Sequence, residues 1–287
     1  MLALQSDRRF LVELFAVANL AFLTLDIYLA HSVNEFRHAA EWIPIVFTTV
    51  GTITLGTGLI QTLRARGEAS HIGLESGSAY WIGLLVGGLA IVVGVVGLIY
   101  HLNGQFFQYQ TLQVLVYSAP FVAPLAFTGV GLLLLLNRLV PFESREWGQW
   151  VTFLALAGFV GNFGLALVDH AQNGFFYVAE WVPVVSAAVA IGYLTMAIGW
   201  PKNRRYLRLG VFVLGLQIVV GMLGFVLHLL PSVTEAATGP LRDRIVYGAP
   251  VFAPLLFFNL ALLAGIGLWD LTIKAPAALT EGGASHS

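Results

Sequence analysis

An all-α integral membrane protein with eight transmembrane helices is what this sequence predicts, and three observations lead there. Of 287 residues, 58% are hydrophobic and only 10% charged, where soluble domains carry roughly 25% charged residues. The apolar residues gather into eight runs, each near the roughly 20 residues that cross about 30 Å of hydrocarbon as helix. The chain also repeats itself: HSVNEFRHAAEWIPIV from His31 returns as HAQNGFFYVAEWVPVV from His170. Transmembrane strands would alternate in polarity, and stretches such as GLLLLLNRL do not.

The first run, Phe10 to Ala30, follows Arg8 and Arg9 and so resembles a signal peptide. Its length and its counterpart in the fifth run argue that it is retained. The second, Trp42 to Leu63, opens with AEWIP, placing Pro44 in a first helical turn. The third, Trp81 to Leu102, contains GLLVGGLAIVVGVVG, whose glycines suit close helix packing. No strand precedes them and no Gly-Lys-Ser/Thr follows, so they form no phosphate loop. The fourth, Leu112 to Leu136, begins within VYSAPFVAPLAF.

The fifth and sixth runs, Trp150 to His170 and Trp181 to Trp200, repeat the first pair. The seventh, Leu207 to Leu229, carries GMLGFVLHL against GVVGLIYHL in the third, and the eighth, Val246 to Leu271, carries VYGAPVFAPLLF against the fourth. The chain thus divides into two parallel four-helix repeats, residues 1–140 and 141–275, each made of two helical hairpins. Residues 276–287 form a polar tail expected to be disordered.

Basic residues set the orientation, because they are retained on the cytoplasmic side of short loops. Arg8, Arg9, Arg64, Arg66, Arg138, Arg145, Lys202, Arg204, Arg205, Arg208 and Lys274 fall on one side; only Arg37, Arg242 and Arg244 fall on the other. Both termini are therefore expected in the cytoplasm of a plasma membrane or bacterial inner membrane. Trp42, Trp81, Trp147, Trp150, Trp181, Trp200 and Trp269 mark the interfaces. A formal net charge of -1 gives no reason to expect nucleic acid.

This topology brings His31, His101, His170 and His228 to one depth near the extracytoplasmic face. Glu41 and Glu180 open the second and sixth runs, and Tyr117 and Tyr247 the fourth and eighth, each three residues before a proline. Imidazole with carboxylate suits iron, zinc or copper(II), and paired histidines suit the axial positions of haem. The absence of cysteine removes disulfides, thiolate sites and covalent haem attachment.

The residues alone thus point to a transition metal or haem bound by His31, Glu41, His101, His170, Glu180 and His228. Electron transfer or cofactor handling would follow, with Asp26, Tyr117 and Tyr247 as accessory groups. The partners expected are the lipid bilayer and a membrane complex or extracytoplasmic redox protein. Two other readings stand beside this one. A transporter or channel would use the duplicated bundle as its frame, although the runs show no interruptions in corresponding places. A noncatalytic subunit would use the same histidines to lock helix ends, which the helix dipole and the interface favour anyway. Glu13 is expected to reach the interface, and His38, His71 and His286, which lack repeat support, to be solvated.

Overall fold

A computed structural model describes residues 7–33, 35–65, 77–104, 106–117, 120–234 and 239–275. Among them the chain forms α-helices and two 3₁₀ turns, with no strand. In the first half, α1 (Asp7–Ser32) is followed by a 3₁₀ turn (Ala39–Glu41), α2 (Trp42–Ala65), α3 (Ser78–Gly104), α4 (Phe106–Tyr109), α5 (Leu112–Tyr117) and α6 (Leu125–Leu139). In the second, α7 (Arg145–Gln172) is followed by a 3₁₀ turn (Val178–Glu180), α8 (Trp181–Gly199), α9 (Arg204–Val233), α10 (Leu241–Tyr247) and α11 (Leu255–Lys274).

Seven of the described helices are long and apolar enough to span a bilayer; α6, with 15 residues, is a shorter apolar helix. The chain is an integral membrane protein. Its outward faces say the same: Phe212 is 77% exposed and Val211 74%, apolar area that only lipid would cover.

The fourth and eighth runs are not single helices. Each breaks at a pair of prolines four apart, Pro120 and Pro124 in one, Pro250 and Pro254 in the other. Past the break, i to i+3 hydrogen bonds wind the chain into a tight turn: Ala123 N donates to Pro120 O and Leu125 N to Val122 O, matched by Ala253 N to Pro250 O and Leu255 N to Phe252 O. Proline lacks the N–H that would continue an α-helix and its ring crowds the preceding turn, so two prolines one turn apart interrupt the ladder.

The halves pack alike: α1 on α2 and α7 on α8, α3 on α6 and α9 on α11. Glycine brings the last two pairs close. A Cβ on Gly94 would lie 2.4 Å from Thr128 Oγ1 and 2.9 Å from Pro124 O; one on Gly221 would lie 2.9 Å from Pro254 O. In hydrocarbon, such backbone approach contributes to helix association through van der Waals contact.

The end of the bundle carrying the N-terminal arginines is held by buried charges, not by solvated ones. Glu13, expected at the interface, is 3% exposed. It accepts from Arg138 at 2.7 and 3.0 Å and from Asn137 Nδ2 at 2.7 Å. Asn137 also receives Arg9 on its carbonyl at 2.7 Å and Trp147 Nε1 on its side chain at 3.2 Å. Across the two halves, Arg8 pairs with Asp270 at 3.4 Å, and Lys274, one turn further along α11, holds the same carboxylate at 2.8 Å. Helix α1 is thereby tied to α6 of its own half and α11 of the other.

Candidate functional site

At the opposite end, His31 lies in the last turn of α1 and His170 in the last turn of α7. After each, the chain reverses through a left-handed turn: Glu35 and Phe36 have φ of 57° and 53°, Gly174 and Phe175 of 66° and 50°. L-residues pay roughly 1–2 kcal/mol for this region and glycine almost nothing, so the first half holds Glu35 where the second uses Gly174. The turn throws Phe36 onto Trp42, centroids 4.5 Å apart, and Phe175 onto Trp181 at 4.0 Å. Glu41 and Glu180, at the ends of the 3₁₀ turns, then reach His31 and His170, each with Nδ1 and Oε2 3.8 Å apart. The repeated phrase is thus a helix-reversal device whose His, Phe, Glu and Trp touch one another in both halves.

His101 and His228 serve the breaks. His101 Nδ1 is 3.1 Å from Pro120 O and His228 Nδ1 3.0 Å from Pro250 O. A carbonyl only accepts, so Nδ1 must carry the proton, and in the neutral ring Nε2 is left as an acceptor. Each histidine therefore supplies a donor to a carbonyl that the interrupted helix leaves with spare capacity.

The four histidines come together as two pairs. The rings of His31 and His101 lie 6.4 Å apart, as do those of His170 and His228, both edge to face. Each half holds one Glu-His-His set, and all eight positions are half-buried or, for the carbonyls, at the rim of a turn. Asp26 is half-buried and forms no hydrogen bond or ion pair with described residues, so it does not join a histidine. Tyr247 is 63% exposed and lines a groove with Tyr28, Glu35 and Arg242. The Tyr117 side chain lies outside the described residues, as do His71 and His286; His38 is exposed.

The matches to known proteins add one relative. Over 123 residues the chain is 28% identical to the mercuric transport protein MerC of Shigella flexneri. The aligned stretch is 43% of this chain and 70% of that protein, close in length to one four-helix half. No family model matches, and no solved structure matches.

These findings correct the reading of a transition metal (iron, zinc or copper) or haem held for electron transfer. Among the described residues no group of three or more His, Cys, Asp or Glu is placed to hold an ion, whereas zinc-type sites need three or four ligands at about 2.0–2.3 Å. Nδ1 of His101 and of His228 is already engaged by a carbonyl. The relative is a mercuric transport protein. What sequence reasoning missed were the breaks, for which the proline pairs were the signal, and the buried ion pairs, for which spacing gave none.

Proposed function

We propose that this chain is a membrane transport protein in which the repeats 1–140 and 141–275 enclose a solute path along their seam. The histidine end faces the extracytoplasmic side and both termini lie in the cytoplasm, following the basic residues. The similarity to a mercuric transport protein over the length of one repeat carries this reading. The interruption of the fourth and eighth runs in corresponding places supports it, because discontinuous helices at matched positions free backbone groups for a passing solute. At mid-span the seam is polar: Asn19 of α1 donates to Asn259 of α11 at 3.2 Å.

The cargo is held through nitrogen and oxygen groups. A soft ion such as mercury(II) favours thiolates, and this chain has no cysteine and three methionines. His31, His101, His170 and His228, with Glu41 and Glu180, shape the outer mouths of the path.

The natural lack of cysteine gives a test that needs no knowledge of the cargo. In Asn259→Cys, a membrane-impermeant maleimide should label the seam from outside in one population of proteoliposomes and from inside in another, as alternating access requires. Labelling from neither side, in protein that still binds its detergent-resistant fold, would leave a packed scaffold and end the transport reading.

A further inference from the structure

At the histidine end the two halves differ at two positions that come together. In the first half, Glu35 occupies the left-handed position that Gly174 fills in the second. In the second half, Arg242, Asp243 and Arg244 of α10 stand where the first half has Leu112, Gln113 and Val114, taking Val246 against Val116 as register. Helix α10 packs against α1. Glu35 and the three charges of α10 therefore line a groove between the halves at the histidine end.

The groove consists of two neighbouring cavities of about 360 and 380 Å³ that share Asp243 and Tyr247. Tyr28, Glu35 and Arg242 line the first and Arg244 the second. Opposite charges face this space without forming an ion pair among the described residues. Arg244 gives Nη1 to Thr234 O at 3.2 Å, while its Nε is buried with no hydrogen-bond partner among the described residues. A buried guanidinium N–H left unpaired is costly. Ser232 Oγ anchors α10 by donating to Arg244 O at 3.2 Å.

The matching place in the other half is built differently. There, Gln172 Nε2 reaches across from α7 to donate to Val116 O at 2.6 Å, and the matching positions carry Gly174, Leu112, Gln113 and Val114. Glycine suits the turn better than glutamate does, so turn geometry alone does not account for Glu35.

We infer that the charged groove binds a zwitterion carrying a primary ammonium and a phosphate, the chemistry of a phosphoethanolamine group. The ammonium lies between the Glu35 and Asp243 carboxylates, against the Tyr28 and Tyr247 rings, which also attract cations. The phosphate lies on the Arg242 guanidinium, which lines the same cavity and whose forked donors match it. The group comes from a phosphatidylethanolamine headgroup or from a free solute. Either source fits a groove at the interfacial depth marked by Trp42 and Trp181.

The test uses the full chain in nanodiscs of phosphatidylglycerol alone or mixed with phosphatidylethanolamine. Free O-phosphoethanolamine is titrated by calorimetry into the first, and retained lipid is counted by native mass spectrometry from the second. Binding of the free probe assigns a solute; selective retention of phosphatidylethanolamine without it assigns the lipid. In either arm Glu35→Gly and Arg242→Leu, which install the twin's residues and spare the fold, should weaken binding at least tenfold. Ethanolamine or inorganic phosphate alone should bind at least tenfold more weakly than the joined group.

Neither probe binding, or binding equal in both variants, or phosphate alone binding as well as phosphoethanolamine, would overturn the inference. The measurement is made at equilibrium without flux. Its failure leaves two-sided labelling of Asn259→Cys untouched, and failure of that labelling leaves this binding untouched.

Discussion

Replacing Glu13 by alanine isolates the buried charge that joins α1 to α6. Both carboxylate oxygens are taken by Arg138, at 2.7 and 3.0 Å, in a pair with side chains 5% and 1% exposed. Removing one partner of a buried pair costs about 3–5 kcal/mol, because the survivor is stranded away from water. Arg138 would keep three carbonyl acceptors, Leu134 O at 3.1 Å, Tyr80 O at 3.1 Å and Ala79 O at 3.2 Å, which places Glu13→Ala near the lower end, about 3 kcal/mol. Arg138→Ala leaves the carboxylate the Asn137 amide and no guanidinium fork, and belongs near about 4 kcal/mol.

In the double variant neither charge is stranded, so its cost should fall short of the sum by about 2–3 kcal/mol, the coupling that neighbouring residues in one network show. Reversible unfolding of purified protein in mixed micelles, with denaturing detergent as titrant, measures all three. A coupling below about 0.5 kcal/mol, the level at which independent sites add, would refute the claim that the pair holds this end together.

Gly83→Ala should act through the same pair, since its Cβ would fall 1.7 Å from Arg138 Cζ; a loss of about 1–3 kcal/mol in the same titration is expected, and it should shrink in the Arg138→Ala background. His101→Ala and His228→Ala each remove one donor from a proline carbonyl and should each cost about 1 kcal/mol, with similar values because the two bonds are 3.1 and 3.0 Å long. At the seam, Asn19→Leu strands Asn259 and should destabilise by about 1 kcal/mol, whereas Asn19→Leu with Asn259→Leu should recover most of that loss, both polar partners being gone; thermal unfolding in detergent ranks the three.

Much of the fold was legible because the bilayer imposes one period and one length. The seven long helices fall on the runs that apolar length marks out, and tryptophans sit near their ends. The pairing of His31 with Glu41 and of His170 with Glu180 was also legible, because duplication preserved both partners together. The breaks in the fourth and eighth runs were hidden by hydropathy, which stays high through Phe121, Val122 and Ala123 although the backbone ladder stops. Glu13 and Arg138 were hidden for another reason. Lying 125 positions apart, they look like two separate interfacial charges until packing of α1 on α6 joins them. The histidines misled in proportion to their regularity, since repetition of a residue reports a repeated task without saying that the task is ligation.

The charged groove has a consequence for how such a chain acquires specificity. Two separate copies of a four-helix unit, related by a twofold axis, would present every substitution twice: a glutamate in one turn would appear in the other, and an arginine on one short helix on its mate. Joining the copies in one polypeptide frees each from its twin. Glu35 could then arise opposite Arg242 while Gly174 kept the easier turn and Gln172 kept the second groove bridged. The two sides of the histidine end are thereby distinguishable, with Glu35 and Arg242 on one and Gly174 and Gln172 on the other.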